Sequence, residues 1–149
     1  MSGGAKFFID TNLLLYSIDK SDHAKWAQAR AWIEALWAAG AGRLSWQVLH
    51  EFYANLPKIR TSNALGRQQI ESLLLWQPLD TSHDLIGRAW HWQDTAQISY
   101  WDGLIVAAAE RLECSWLVSE DFQTGRKFGN VTVVNQFLCG PDEFELTPA

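Results

Sequence analysis

Short apolar runs alternate along the chain with longer segments in which apolar residues recur at helical spacing. Residues 6–9 form an apolar run that ends in Asp10-Thr11-Asn12, with a helix-like stretch at 13–18 behind it. A run of this kind, closed by residues that cap a following helix, reads as a buried parallel strand. Ser21 or Asp22 then opens a long helix to about Ala39, stopped by Gly40 and Gly42. A second short strand is expected at 43–45. A helix over 46–56 ends at Pro57, and another over 63–76 ends before Pro78. Residues 78–80 read as a third strand, followed by a helix capped by Ser82 and reaching about Ala96. Ser99 caps a helix over 100–112, with Asp102 three residues on, in capping-box position. Strands at 115–118 and 131–134 complete the pattern.

Strands alternating with helices predict an α/β domain, a three-layer α/β/α sandwich with a central parallel sheet covered on both faces. The length of 149 residues suits one domain spanning 1–149, and there is no internal repeat, low-complexity tract or linker to divide it. Hydrophobic residues make up 48% of the chain, enough for a sizeable core, and 19% charged residues with nine tryptophans argue against disorder. No stretch approaches the roughly 18 consecutive apolar residues of a membrane helix, and the first residues lack the pattern of a signal peptide. Cys114 and Cys139 have no metal-binding spacing and read as buried free thiols, which places the chain in a reducing cytoplasm.

Four acids stand where such a fold brings side chains together. Asp10 directly follows its strand. Asp121 follows the strand at 115–118 after Ser119 and Glu120. Glu51 lies about one and a half helical turns beyond the strand at 43–45, and Asp102 sits in the first turn of its helix. In open α/β sheets, ligands bind beyond the carboxyl ends of the strands, where all four would converge. Taken one at a time, each has an ordinary explanation: Asp10 and Asp102 as helix-terminal carboxylates worth about 0.3–1 kcal/mol, Glu51 as a solvated helix residue. Together, without His or Cys beside them, they describe an oxygen site for Mg²⁺ or Mn²⁺. The net charge of −5 also changes meaning, since the other 13 acids are nearly balanced by 12 bases. The charge then points to a metal rather than away from phosphate.

The wording around the acids carries a resemblance. Phe7-Phe8-Ile9-Asp10-Thr11-Asn12 resembles the opening strand of PIN-domain nucleases. Ser45-Trp46-Gln47-Val48-Leu49-His50-Glu51-Phe52-Tyr53, Ser99-Tyr100-Trp101-Asp102-Gly103-Leu104-Ile105 and Leu117-Val118-Ser119-Glu120-Asp121-Phe122 resemble their second, third and fourth acidic blocks. Val133-Val134-Asn135-Gln136-Phe137 is similar to the closing strand. Five blocks in order over residues 7–137 make the match specific. Size and wording are most similar to the VapC-like toxins of bacterial toxin–antitoxin pairs. The resemblance implies an endoribonuclease that uses Mg²⁺ or Mn²⁺, held by Asp10, Glu51 and Asp102 as primary ligands and by Asp121 directly or through water. Asn12 and Ser119 would support the first and fourth acids. It further implies an RNA substrate, an antitoxin protein and a homodimer. Three residues depart from the family pattern: Trp46 where a small residue or proline is common, Gly103 where alanine is usual, and Gln136 in place of proline. Gly103 is expected to loosen its helix start by about 1 kcal/mol.

Two other readings compete. An aspartyl-phosphate phosphatase with Asp10 as nucleophile needs a second acid two residues on, and the chain has Asn12 there. A non-catalytic PIN-like module would bind RNA or protein without cutting it. Lys58, Arg60, Arg126 and Lys127 flank the motifs as candidate phosphate contacts, with solvated surface the expectation for at least half. Asp94 and Glu120 are expected outside the site, and His50, though next to Glu51, at the surface. On the long helix Trp26, Ile33 and Trp37 share a face that suits the core. Trp32 and one of Trp90 and Trp92 lie off such faces and suit either the core or an interface.

Overall fold

A computed structural model describes residues 4–148. Its elements are β1 (Phe7–Ile9), α1 (Thr11–Ile18), α2 (His23–Ala39), β2 (Gly42–Arg43), α3 (Trp46–Asn55), α4 (Asn63–Leu73), α5 (His83–Ala96), α6 (Tyr100–Arg111), β3 (Trp116–Val118), β4 (Lys127–Phe128) and β5 (Val131–Val134). Polar side chains start most of the helices at the positions the sequence indicates. Asp22 accepts from Lys25 N, Ser62 from Leu65 N, and Ser82 from Leu85 N. Gly40, at φ 63°, ends α2 in the left-handed region that a side-chain-bearing residue avoids.

Five strands form one sheet in the order β2-β1-β3-β5-β4, parallel except for the β4–β5 pair. From β1 the chain moves to β2 on one side and later returns to β3 on the other. Such crossovers are right-handed, so α1 and α2 lie against one face and the later helices, with α6 packed on β3 and β5, against the opposite one. The expected sandwich is therefore the observed architecture. Its centre is apolar throughout: Phe7, Phe8, Ile9, Leu117 and Val118 of the inner strands are at most 1% exposed. Burial on both faces explains why these strands read as unbroken apolar runs rather than alternating ones.

Residues 78–80 do not form a sheet strand. Leu79 makes an isolated parallel bridge to Ser45, with Leu79 N donating to Leu44 O at 3.1 Å and Trp46 N donating to Leu79 O at 3.1 Å. β4 is an additional antiparallel strand, whose two residues pair with Val131 and Thr132 across a tight hairpin. The helix expected over 63–76 ends at Leu73 and tightens into a 3-10 turn at Leu74–Trp76.

On α2, Trp32 takes the core option of the two open to it, Ile33 is buried as expected, and Trp37 is not. Trp32 is fully buried and donates its indole N–H to the carbonyls of Gln136 and Cys139, at 3.2 and 3.0 Å. Trp37 is 40% exposed and packs on Trp76. The two carbonyls supply the partner that a buried indole requires. Of the pair on α5, Trp90 is the exposed one. Cys114 is buried, Cys139 half-buried, and both are free thiols.

Candidate active site

The register of the sheet brings the first and fourth blocks into contact. Ile9 pairs with Val118, and Val118 with Val134, so Asp10, Ser119 and Gln136 all emerge at the same carboxyl edge. Asp10 caps α1, accepting from Thr11 N on Oδ1 at 2.8 Å. Its other oxygen, Oδ2, accepts from the Ser119 hydroxyl at 2.8 Å. Asn12 Nδ2 reaches Ser119 Oγ at 3.1 Å and Asp121 Oδ2 at 3.2 Å. Asp121 N donates to Ser119 Oγ at 3.0 Å. Ser119 is thus fully used, with one proton given and two accepted, and it fixes the Asp10 carboxylate and the Asp121 backbone, while Asn12 holds the Asp121 carboxylate. Asn12 acts here as an amide donor between two acceptors, a role that a carboxylate at this position would fail to perform. The phosphatase reading requires a carboxylate there.

Gln136 extends the network. It is fully buried, and its Nε2 donates to Asn12 Oδ1 at 2.7 Å, beside the Glu120 amide that donates to the same oxygen at 3.3 Å. Two donors on Oδ1 fix which end of the Asn12 amide faces the acids. The sequence marks Gln136 as a departure from the family pattern but gives no sign of this task, because its partner lies 124 positions away.

Glu51 and Asp102 come from the other side, each positioned by a serine-capped helix. Val48 N meets Ser45 Oγ at 3.5 Å at the start of α3, and Asp102 N meets Ser99 Oγ at 3.1 Å at the start of α6. The Asp102 carboxylate, in the first turn of α6, lines the cavity. Asp10, Glu51, Asp102 and Asp121 line one cavity of about 230 Å³, with Thr11, Asn55 and Trp101 around them.

Burial and crowding of like charge set the electrostatics. Burial, reinforced by the charges of Asp121 and Glu51, pushes the Asp10 carboxyl up to about 7, against the hydrogen bonds from Ser119 and Thr11. Glu51 is also raised, first by burial and then by the charges of Asp102 and Asp121. Asp102 is raised by burial and by Asp121. The Thr11 hydroxyl, buried at the same cavity, acts on Glu51 in the opposite sense and lowers its carboxyl. An all-oxygen donor set of this kind suits a hard divalent cation with its water shell. Among the described residues, no three acidic, histidine or cysteine side chains already form a closed cage for an ion.

Other sequence candidates fall outside. Glu120 pairs with Lys25 at 3.7 Å. Arg126 donates to Ala96 O at 2.7 Å and lies over the Phe128 ring, which makes it a structural cation. His50 is exposed and borders a neighbouring groove instead of the acidic cavity.

Residues 7–127 match the PIN domain family. The chain belongs to the PIN domain family. Among solved structures, this PIN domain is similar to VapBC2 from Rickettsia felis bound to a DNA fragment from their promoter, at 18% identity and a TM-score of 0.60, covering 87% of this chain and 97% of that one. It is also similar to Mycobacterium tuberculosis VapC20, a toxin that cleaves the sarcin-ricin loop, at 19% identity and a TM-score of 0.58, covering 75% and 87% of the two chains. At these identities the likeness is one of fold. No curated protein matches the PIN domain in sequence. Among its described residues, no helix is long and apolar enough to cross a membrane.

Proposed function

We propose that the chain is a divalent-metal-dependent endoribonuclease acting as the toxin of a toxin–antitoxin pair. The observation that carries this reading is the convergence of four carboxylates, from four separate elements, on one cavity, with the deepest of them, Asp10, raised chiefly by burial. Asp10, Glu51, Asp102 and Asp121 would hold Mg²⁺ or Mn²⁺. When bound, the ion supplies a lowered water pKa and charge neutralisation at the scissile phosphate. The chain's own residues do the positioning. Ser119 and Asn12 hold Asp10 and Asp121 in fixed rotamers, Gln136 fixes the Asn12 amide, and the capped starts of α3 and α6 present Glu51 and Asp102. Thr11 lies at the cavity wall beside Glu51, whose carboxyl its hydroxyl helps to hold in the charged form.

The toxin assignment draws on the fold shared with VapC20 and with VapBC2. An antitoxin partner, a homodimer and a cytoplasmic location belong to the same proposal. Cleavage of a mixed RNA pool by the purified protein, in Mn²⁺, in Mg²⁺ and in EDTA, tests the enzyme directly. Cutting is expected with either metal, absent in EDTA and absent from Asp10→Asn. RNA cleavage that survives in EDTA and in the variant would sink the mechanism.

A further inference from the structure

A second and larger depression, of about 760 Å³, adjoins the acidic cavity and shares Glu51 and Trp101 with it. Its volume falls within the range of about 300–1,000 Å³ typical of small-ligand sites. The walls are aromatic. Trp101, 61% exposed, stands on one side, and Trp46, half-buried and 6.2 Å between ring centroids from His50, stands on the other. A cross-link holds the two sides together: Gln47 Nε2 of α3 donates to Trp101 O of α6 at 3.1 Å. The lining includes Asp80 and Glu51 but no Lys or Arg.

We propose that this groove is a nucleobase subsite, in which an unpaired base of the RNA next to the scissile phosphate stacks on Trp101 and Trp46. The proposal rests on the ribonuclease reading and extends it to how substrate is chosen. With no Lys or Arg in its lining and two indoles at its walls, the groove suits a neutral flat ring better than a phosphate, and every base has a π-face to offer indole. Trp101 precedes Asp102 in the chain and borders both cavities. A strand whose phosphate sits among the acids therefore has to lay an adjacent nucleotide over this ring. Duplex RNA keeps its bases stacked inside the helix and out of reach, so the groove selects single strands and loops.

The test uses the full chain and single-stranded RNA oligonucleotides that it cuts, with each base removed in turn to leave an abasic site. Trp101→Ala is expected to raise KM by roughly 5- to 150-fold with kcat little changed, and Trp101→Phe to restore most of the loss. One abasic position beside the cut should produce the same KM rise, and that rise should vanish when combined with Trp101→Ala. Trp46→Phe, which keeps a ring in the half-buried position, should leave folding intact and cause a smaller rise. Binding of the same oligonucleotides to Asp10→Asn, followed by anisotropy, should weaken in step with KM when Trp101→Ala is added.

Uncut RNA in every metal, with no oligonucleotide binding by Asp10→Asn, overturns both the nuclease reading and the subsite. Normal cleavage that is indifferent to Trp101→Ala and to every abasic position overturns the subsite alone. A groove that instead serves a partner protein's apolar segment would show in that second outcome.

Discussion

Asp10 performs two tasks that conflict in the absence of a cation: it caps α1 and places a carboxylate in a buried, acid-lined cavity. Its pKa in the folded chain, about 7, lies well above the ordinary aspartate value of 3.8. A group raised in this way favours folding fully below its unfolded pKa, and that contribution is lost as pH rises through the folded pKa. In EDTA the protein is therefore expected to lose stability between about pH 4 and pH 7, on the order of 4 kcal/mol from this residue. Asp10→Asn removes the titration while keeping an oxygen for Thr11 N. Thermal denaturation in EDTA at pH 8 should show the inactive variant melting above the wild type, and Mn²⁺ should close the gap by stabilising the wild type alone. Gln136→Ala should behave differently. It frees the Asn12 amide and leaves a cavity, so both cleavage and stability should fall, the latter by about 1–3 kcal/mol in denaturant unfolding. Burial raises Cys114 to about 12, which keeps its thiol protonated and unreactive. In the native protein a thiol reagent should label Cys139 first, and Cys114 only as fast as the chain unfolds.

At the scale of elements, α5 and α6 form the closest helix pair, and Gly103 is the reason. A Cβ at this position would meet Ala89 O at 2.7 Å, a backbone atom with nowhere to move. The glycine that looks like a loosening of the helix start is the residue that lets α6 approach α5 with Asp102 beside it. Gly103→Ala, favourable by helix propensity alone, should therefore destabilise by about 1–3 kcal/mol and displace Asp102. A lower unfolding midpoint together with reduced kcat would bear this out, and a more stable, fully active variant would refute it. The same contrast marks what was legible in the sequence. Helix starts at Asp10, Asp22, Ser82 and Ser99 are local events, set by a hydroxyl or carboxylate and an amide a few residues away, and could be read directly. Positions that depend on a distant partner could not. Trp32 is drawn inward by carbonyls after β5, Leu79 bridges to Ser45 instead of forming a sheet strand, and Lys127–Phe128 is a strand only because β5 lies beside it. Of the candidate site, the four acids, Asn12 and Ser119 stand out in the motif blocks, whereas Gln136, Thr11 and the Trp46–Trp101 groove emerge only when the ends of β1, β3 and β5 meet the starts of α3 and α6.

For the whole molecule, the sheet ends in two-residue strands on both sides, β2 at one margin and β4 at the other. Beyond β2, the Leu79 bridge uses the backbone groups of Leu44 and Trp46 that would otherwise be free. At the far margin the exposed residue of β4 is a lysine. A margin this short gives an incoming chain almost no row of amides to pair with. Copies of the protein are thus kept from joining sheet to sheet as they accumulate, and anything that holds the molecule specifically has to grip it by its helices and the loops at the strand ends.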